Sequence, residues 1–122
     1  SGALASLVQL FLGGNQIRDA GMSALAGACV SGALASLEEL SLNMNRIGNV
    51  GITTLVGTVS SGALASLEDL SLHCNQIGDT GILFLADTVS KGMLQRCRYI
   101  GLSVNPGNSA PVEKALRERI AI

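Results

Sequence analysis

The chain has 122 residues, enough for one domain with a substantial core. Its only aromatics are Phe11, Phe84 and Tyr99, so the core must be built from Leu, Ile, Val and Ala. The net charge of −1 hides an imbalance: residues 1–90 carry two arginines against seven carboxylates, while residues 91–122 carry six basic side chains against two acidic ones. A mildly acidic chain with few aromatics among its basic residues does not read as a nucleic-acid binder, and no apolar run approaches the ~18 residues of a membrane span.

The string SGALASL stands at residues 1–7, 31–37 and 61–67 without a change, so the chain is read first as a repeat of period 30. Unit one is residues 1–30, unit two 31–60 and unit three 61–90; a divergent fourth unit fills 91–122. In unit one Leu10 and Leu12 lie two apart, the spacing of a short strand with one buried face. Leu40 and Leu42 repeat it in unit two. There Ile52, Leu55, Val56 and Val59 follow at i, i+3, i+4 and i+7, one apolar face of a helix. Unit three has the same plan, with Leu70 and Leu72 in the strand. In unit four Pro106 and Pro111 break the frame. Pro111 suits the first turn of a last helix, capped near Asn108 or Ser109, with Val112, Ala115, Leu116 and Ile120 inward. SGALASL itself follows a helix and precedes a strand. It is expected to be a return corner, with Gly32 and Gly62 in the left-handed conformation that ends a helix and with Leu34 and Leu64 tucked beneath the loop.

Strands recurring every thirty residues with a helix between them imply a parallel sheet. Parallel strands stack about 4.8 Å apart, whereas packed helices need about 8–10 Å. Joining one of each per unit bends the stack into an arc, with the sheet concave and the helices convex.

The segments LEELSLNMNRIGNVGITTL and LEDLSLHCNQIGDTGILFL resemble leucine-rich repeats, whose signature is LxxLxLxxN followed by an apolar residue. The matching positions are Leu7, Leu10, Leu12, Asn15 and Ile17; Leu37, Leu40, Leu42, Asn45 and Ile47; and Leu67, Leu70, Leu72, Asn75 and Ile77. In unit four Cys97, Ile100, Leu102 and Asn105 keep the frame, but Gly107 replaces the apolar residue. A repeat with a full helix is similar to the ribonuclease-inhibitor-like class, also found in NOD-like receptors and Ran GTPase-activating proteins. The resemblance implies an α/β solenoid of about four 30-residue repeats, forming one domain over 1–122. Such a solenoid hosts many partners, so the resemblance specifies fold far better than function.

Asn15, Asn45, Asn75 and Asn105 recur once per turn and are read as structural, each amide satisfying backbone groups in the bend after its strand. Gly21, Gly51 and Gly81 sit where the helices begin, for a tight turn or close packing. If the strand leucines point inward, their neighbours form the concave face. Gln9, Phe11, Glu39, Ser41, Asn43, Asp69, Ser71, His73, Tyr99 and Ser103 are therefore the candidate partner-binding residues. Glu39 and Asp69, with Glu38 and Glu68 beside them, form an acidic patch suited to a basic protein partner; the plainer reading is a solvated rim. Phe11 and Tyr99 bracket the patch and suit interface anchors, unless a neighbouring repeat covers them. Leu83 and Phe84 replace the threonine pair of unit two, either packing on the next helix or marking a second contact surface. His73 and Cys74, as strand neighbours, should point to opposite faces and not cooperate. Cys29 and Cys97 fall at core positions.

No CxxC, HExxH, GxSxG or phosphate-loop pattern is present, so no catalytic, cofactor or metal residues are assigned. Three cysteines without disulfide spacing suit a reducing, cytoplasmic setting. Ser1 already falls inside a repeat, which suggests no signal peptide and a fragment of a longer chain. The first strand is expected to be an uncapped edge that self-associates unless further repeats cover it. The reading is a non-enzymatic protein-interaction scaffold. Its alternatives are a ligand-sensing or regulatory segment of a larger signalling or GTPase-regulating protein, and a structural spacer.

Overall fold

The computed structural model describes residue 4 and residues 6–120, leaving aside the side chain of Ile120. Most of the first SGALASL copy, and the inward placement expected of Ile120, lie outside the described residues. Four strands alternate with four helices: β1 (Gln9–Phe11), α1 (Arg18–Val30), β2 (Glu39–Ser41), α2 (Asn49–Ser60), β3 (Asp69–Ser71), α3 (Asp79–Ser90), β4 (Tyr99–Gly101) and α4 (Ala110–Ile120). The strands form one parallel sheet in chain order. Its register keeps the 30-residue period, pairing Leu10 with Leu40, Leu40 with Leu70 and Leu70 with Ile100.

One core runs through the stack. Leu37, Leu40, Leu42, Ile47, Ile52 and Leu55 have their counterparts in Leu67, Leu70, Leu72, Ile77, Ile82 and Leu85, and all twelve are buried. Burying each such side chain contributes about 2 kcal/mol. The first unit differs: Leu7, Leu10, Leu12, Ile17 and Leu25 are only partly buried, as no unit among the described residues covers them on that side. At the other end α4 packs on α3 and buries Val112, Ala115 and Leu116. Arg119 then reaches back to donate to the carbonyls of Met93 (2.7 Å) and Cys97.

The two fully described SGALASL copies are turns, not helix. Gly32, Gly62 and Gly92 take φ of +86°, +95° and +91°, the left-handed region that a glycine enters without penalty. Leu34 and Leu64 lie beneath the corner at 3% exposure. At the last helix Asn108 supplies the cap, its Oδ1 accepting the Ala110 N–H at 3.0 Å.

The strands are three residues long, shorter than the sequence pattern suggests. His73 and Cys74 therefore lie past β3, and Cys74 has φ +58°. They are loop residues rather than strand neighbours; Cys74 is exposed, and His73 turns toward β4. Phe84 stays 47% exposed and Leu83 57%, so neither is covered by the following helix.

Candidate functional site

Two ladders of polar side chains bind each unit to the next and fix the face that follows. The first is made by the asparagines. Asn75 Oδ1 accepts the N–H of Asn45 (2.9 Å) and of Ile47 (3.0 Å), both in the preceding unit. Its Nδ2 donates to the carbonyls of Leu42 and Leu72, each at 3.0 Å, and to His73 at 3.3 Å. Asn45 does the same one unit earlier, accepting from Asn15 and Ile17 and donating to Leu12, and Asn105 one unit later, accepting from Ile77 and donating to Leu72. Among the described residues the Asn15 amide donates only within its own bend, to Leu12 and Gly13. The Asn45 and Asn75 amides are buried and spent on backbone, so they are not displayed to a ligand.

The second ladder escapes a reading of the sequence alone. The N-termini of α2 and α3 receive no cap from their own units. Asp19 Oδ1 instead accepts the N–H groups of Gly48 (2.9 Å) and Gly51 (2.8 Å) across the unit boundary. Asn49 does this for Gly78 (2.9 Å) and Gly81 (3.0 Å), and Asp79 accepts from Asn108 at 2.8 Å. A carbonyl or carboxylate oxygen at a helix N-terminus satisfies orphan donors and opposes the positive end of the dipole. The glycines follow from this contact. A Cβ on Gly51 would stand 2.5 Å from Asp19 Oδ1, and one on Gly81 2.6 Å from Asn49 Oδ1.

With the units locked, the sheet presents ordered rows. Gln9, Glu39, Asp69 and Tyr99 are direct partners across the four strands, and Phe11, Ser41, Ser71 and Gly101 form the next row. Phe11 is 63% and Tyr99 46% exposed, one at each end of the sheet. Glu39 and Asp69 are half-buried and adjacent in register. Among the described residues, neither they nor Glu38 and Glu68 have an ion-pair partner. Adjacent strands lie about 4.8 Å apart, and like charges directly opposite each other across a strand pair are destabilising.

Beyond the strands a third row is tied together. Asn43 Oδ1 accepts the N–H of His73 at 2.9 Å, so that carboxamide serves the loop. His73 bridges units three and four: its Nδ1 accepts the Ser103 N–H at 3.0 Å and lies 2.6 Å from Ser103 Oγ, while its Nε2 is 2.8 Å from Tyr99 Oη. A backbone N–H can only donate, so Nδ1 must be the acceptor and Nε2 carries the proton toward Tyr99. This is not a nucleophile and base: the Nδ1 lone pair is already shared with the Ser103 N–H, and a tyrosine hydroxyl rather than a carboxylate faces the other nitrogen. Gly101 makes room for the ring, since a Cβ there would run into the imidazole and the Tyr99 hydroxyl.

Among the described residues no three His, Cys, Asp or Glu side chains group closely enough to hold a metal ion. Of the three cysteines, only Cys74 is exposed. Burial raises the Cys29 thiol above its usual value and pushes Cys97 up to about 11.

Registered strand leucines, a buried asparagine ladder and a helix in every unit point to one family, and its model, described as leucine-rich repeat, matches residues 3–26, 33–56 and 63–86, together more than half of the chain. The chain belongs to the leucine-rich repeat family. Among curated proteins none is similar enough to stand as a relative. As a leucine-rich repeat protein it displays a sheet face whose side chains are free of core duties, the arrangement that such repeats commonly use to bind other proteins. No described helix is long and apolar enough to cross a membrane.

Proposed function

We propose that this leucine-rich repeat chain is a non-enzymatic scaffold that binds a basic protein partner on the concave sheet face. The observation that carries the reading is the unpaired carboxylate row of Glu39 and Asp69, set between Phe11 and Tyr99. A partner lysine or arginine would relieve the repulsion, and the exposed rings would supply the apolar anchors that dominate interface energies. Gln9, Ser41 and Ser71 complete the contact area, while Asn43, His73 and Ser103 shape its edge through the loop bonds they already make. Helices of 12 and 13 residues in the first three units support the ribonuclease-inhibitor-like subclass, and three free cysteines support a cytoplasmic setting.

The test is capture of partners with the intact chain, in parallel with a Glu39→Lys/Asp69→Lys variant shown by circular dichroism to remain folded. The proposal expects partners held by the wild type to be lost from the variant. Identical capture by both would remove the acidic row from the binding site, and no reproducible partner for either would favour a structural spacer.

A further inference from the structure

Among the described residues β4 is the last strand of the sheet, and between β4 and α4 the stack opens into a cleft of about 800 Å³. Ile100, Leu102 and Leu116 give it an apolar floor, and Arg98, Tyr99 and Arg117 stand around it. Three separate features specify what would fit.

The first is the backbone. At the preceding junction Glu68 offers its carbonyl to Arg98 N–H (2.9 Å), and Leu72 N–H reaches the Gly101 carbonyl (2.8 Å). One unit on, the same register turns the Arg98 carbonyl, both backbone groups of Ile100 and the Leu102 N–H toward the open edge. No strand lies on that side among the described residues, and these groups form a template for strand addition. The second feature is charge. Arg98 and Arg117 have no ion-pair partner among the described residues. Glu113, the one carboxylate lining the cleft among the described residues, accepts a hydrogen bond from Ser109 Oγ at 3.1 Å. The third is the Ser103–His73–Tyr99 chain. Because Nε2–H donates to Tyr99 Oη, the tyrosine keeps its own proton free to donate.

We propose that this cleft binds an extended acidic peptide segment, which adds to β4 as a fifth strand and places a carboxylate side chain among Arg98, Arg117 and the Tyr99 hydroxyl. Alternate side chains of the peptide would descend onto Ile100, Leu102 and Leu116, while those between them stand with Tyr99 on the sheet face, as the two-residue period of a strand requires, and the Arg98 and Arg117 guanidinium groups lining the same cleft attract its carboxylates. The site is opposite in sign to the acidic row on the sheet, so the chain would join an acidic segment at its end to a basic partner on its face.

The probe is a synthetic octapeptide alternating valine and glutamate, blocked at both ends, titrated into the isotope-labelled 122-residue chain and followed by NMR. A valine–lysine octapeptide is the control. The acidic peptide is expected to shift the amides of Ile100 and Leu102 and slow their hydrogen exchange. Its affinity should fall by about tenfold or more in an Arg98→Glu/Arg117→Glu variant and by a smaller factor in Tyr99→Phe. Both arginines are exposed, so the variants are expected to stay folded, and an unchanged amide spectrum outside the cleft verifies it. Equal binding of the two peptides, affinity unaltered in the double variant, or no shift at Ile100 and Leu102 with the peptide at millimolar concentration would each overturn the proposal. None of these outcomes depends on Glu39 or Asp69, so this test is separate from that of the concave face.

Discussion

Replacing Asn75 by alanine is the most direct probe of how the stack is held. The side chain is 7% exposed and makes five hydrogen bonds, two accepted and three donated. Alanine leaves the N–H groups of Asn45 and Ile47 without an acceptor inside the protein. An unsatisfied buried donor costs about 1–3 kcal/mol, so the two together set a loss of roughly 2–6 kcal/mol before the freed carbonyls are considered. Against a whole-domain stability of about 5–15 kcal/mol, that is a large fraction. Asn15→Ala is the internal control, because Asn15 is exposed and donates only to its own bend; its loss should stay below about 1 kcal/mol. Urea denaturation followed by circular dichroism measures both, with the midpoint compared at constant slope. Equal midpoints for the two variants would refute the view that these amides act between units.

Gly51→Ala should destabilise by about 1–3 kcal/mol, since the new methyl meets Asp19 Oδ1 and Ile47. Gly57→Ala, in the same helix with nothing within 4 Å, should stabilise by up to about 1 kcal/mol; thermal melts that moved both variants the same way would contradict the cross-unit cap. Cys97 links stability to alkaline pH. Its thiol is pushed from 9.0 to about 11 by burial, so the folded state holds its proton more tightly than the unfolded one. The stability this confers is complete below pH 9 and is lost as pH rises through about 11, by roughly 2–3 kcal/mol. Cys97→Val should flatten that part of the pH profile relative to wild type, and parallel profiles would argue against it. For β1 we propose self-association. Val8 and Leu12 bond β2 through the Val8 carbonyl and the Leu12 N–H, which leaves the backbone groups of Gln9 and Phe11 facing an edge on which no strand lies among the described residues. Gln9→Pro removes only an outward N–H and should lower the apparent mass in size-exclusion chromatography with light scattering; a wild-type monomer at every concentration would rule the association out.

The fold was legible because its determinants repeat. The leucine ladder, the buried asparagines and the return corner each recur at a spacing of thirty, so each position is read several times over. Gly107, by contrast, stands where Ile17, Ile47 and Ile77 keep an apolar side chain, and only the structure supplies the reason: a Cβ there would lie 2.6 Å from the backbone of Gly78. The Asp19–Asn49–Asp79 ladder stayed hidden because its bonds span a whole unit and its members alternate between acid and amide, whereas a helix cap is sought within a few residues of its own helix. The glycines two residues further along each unit were its one visible trace. The concave rows could be written down from alternation alone, but the roles of Asn43 and His73 could not. Both lie beyond strands that end at Ser71 and its counterparts, where period two no longer says which way a side chain turns.

The claim that function resides on the concave sheet is tested most directly by mapping a captured partner onto the chain by NMR. Titration should perturb the amides of Gln9–Phe11, Glu39–Ser41, Asp69–Ser71 and Tyr99, with the largest shifts at Glu39 and Asp69. Shifts confined to the helical side, around Leu83 and Phe84, with the strand amides unmoved, would contradict the account.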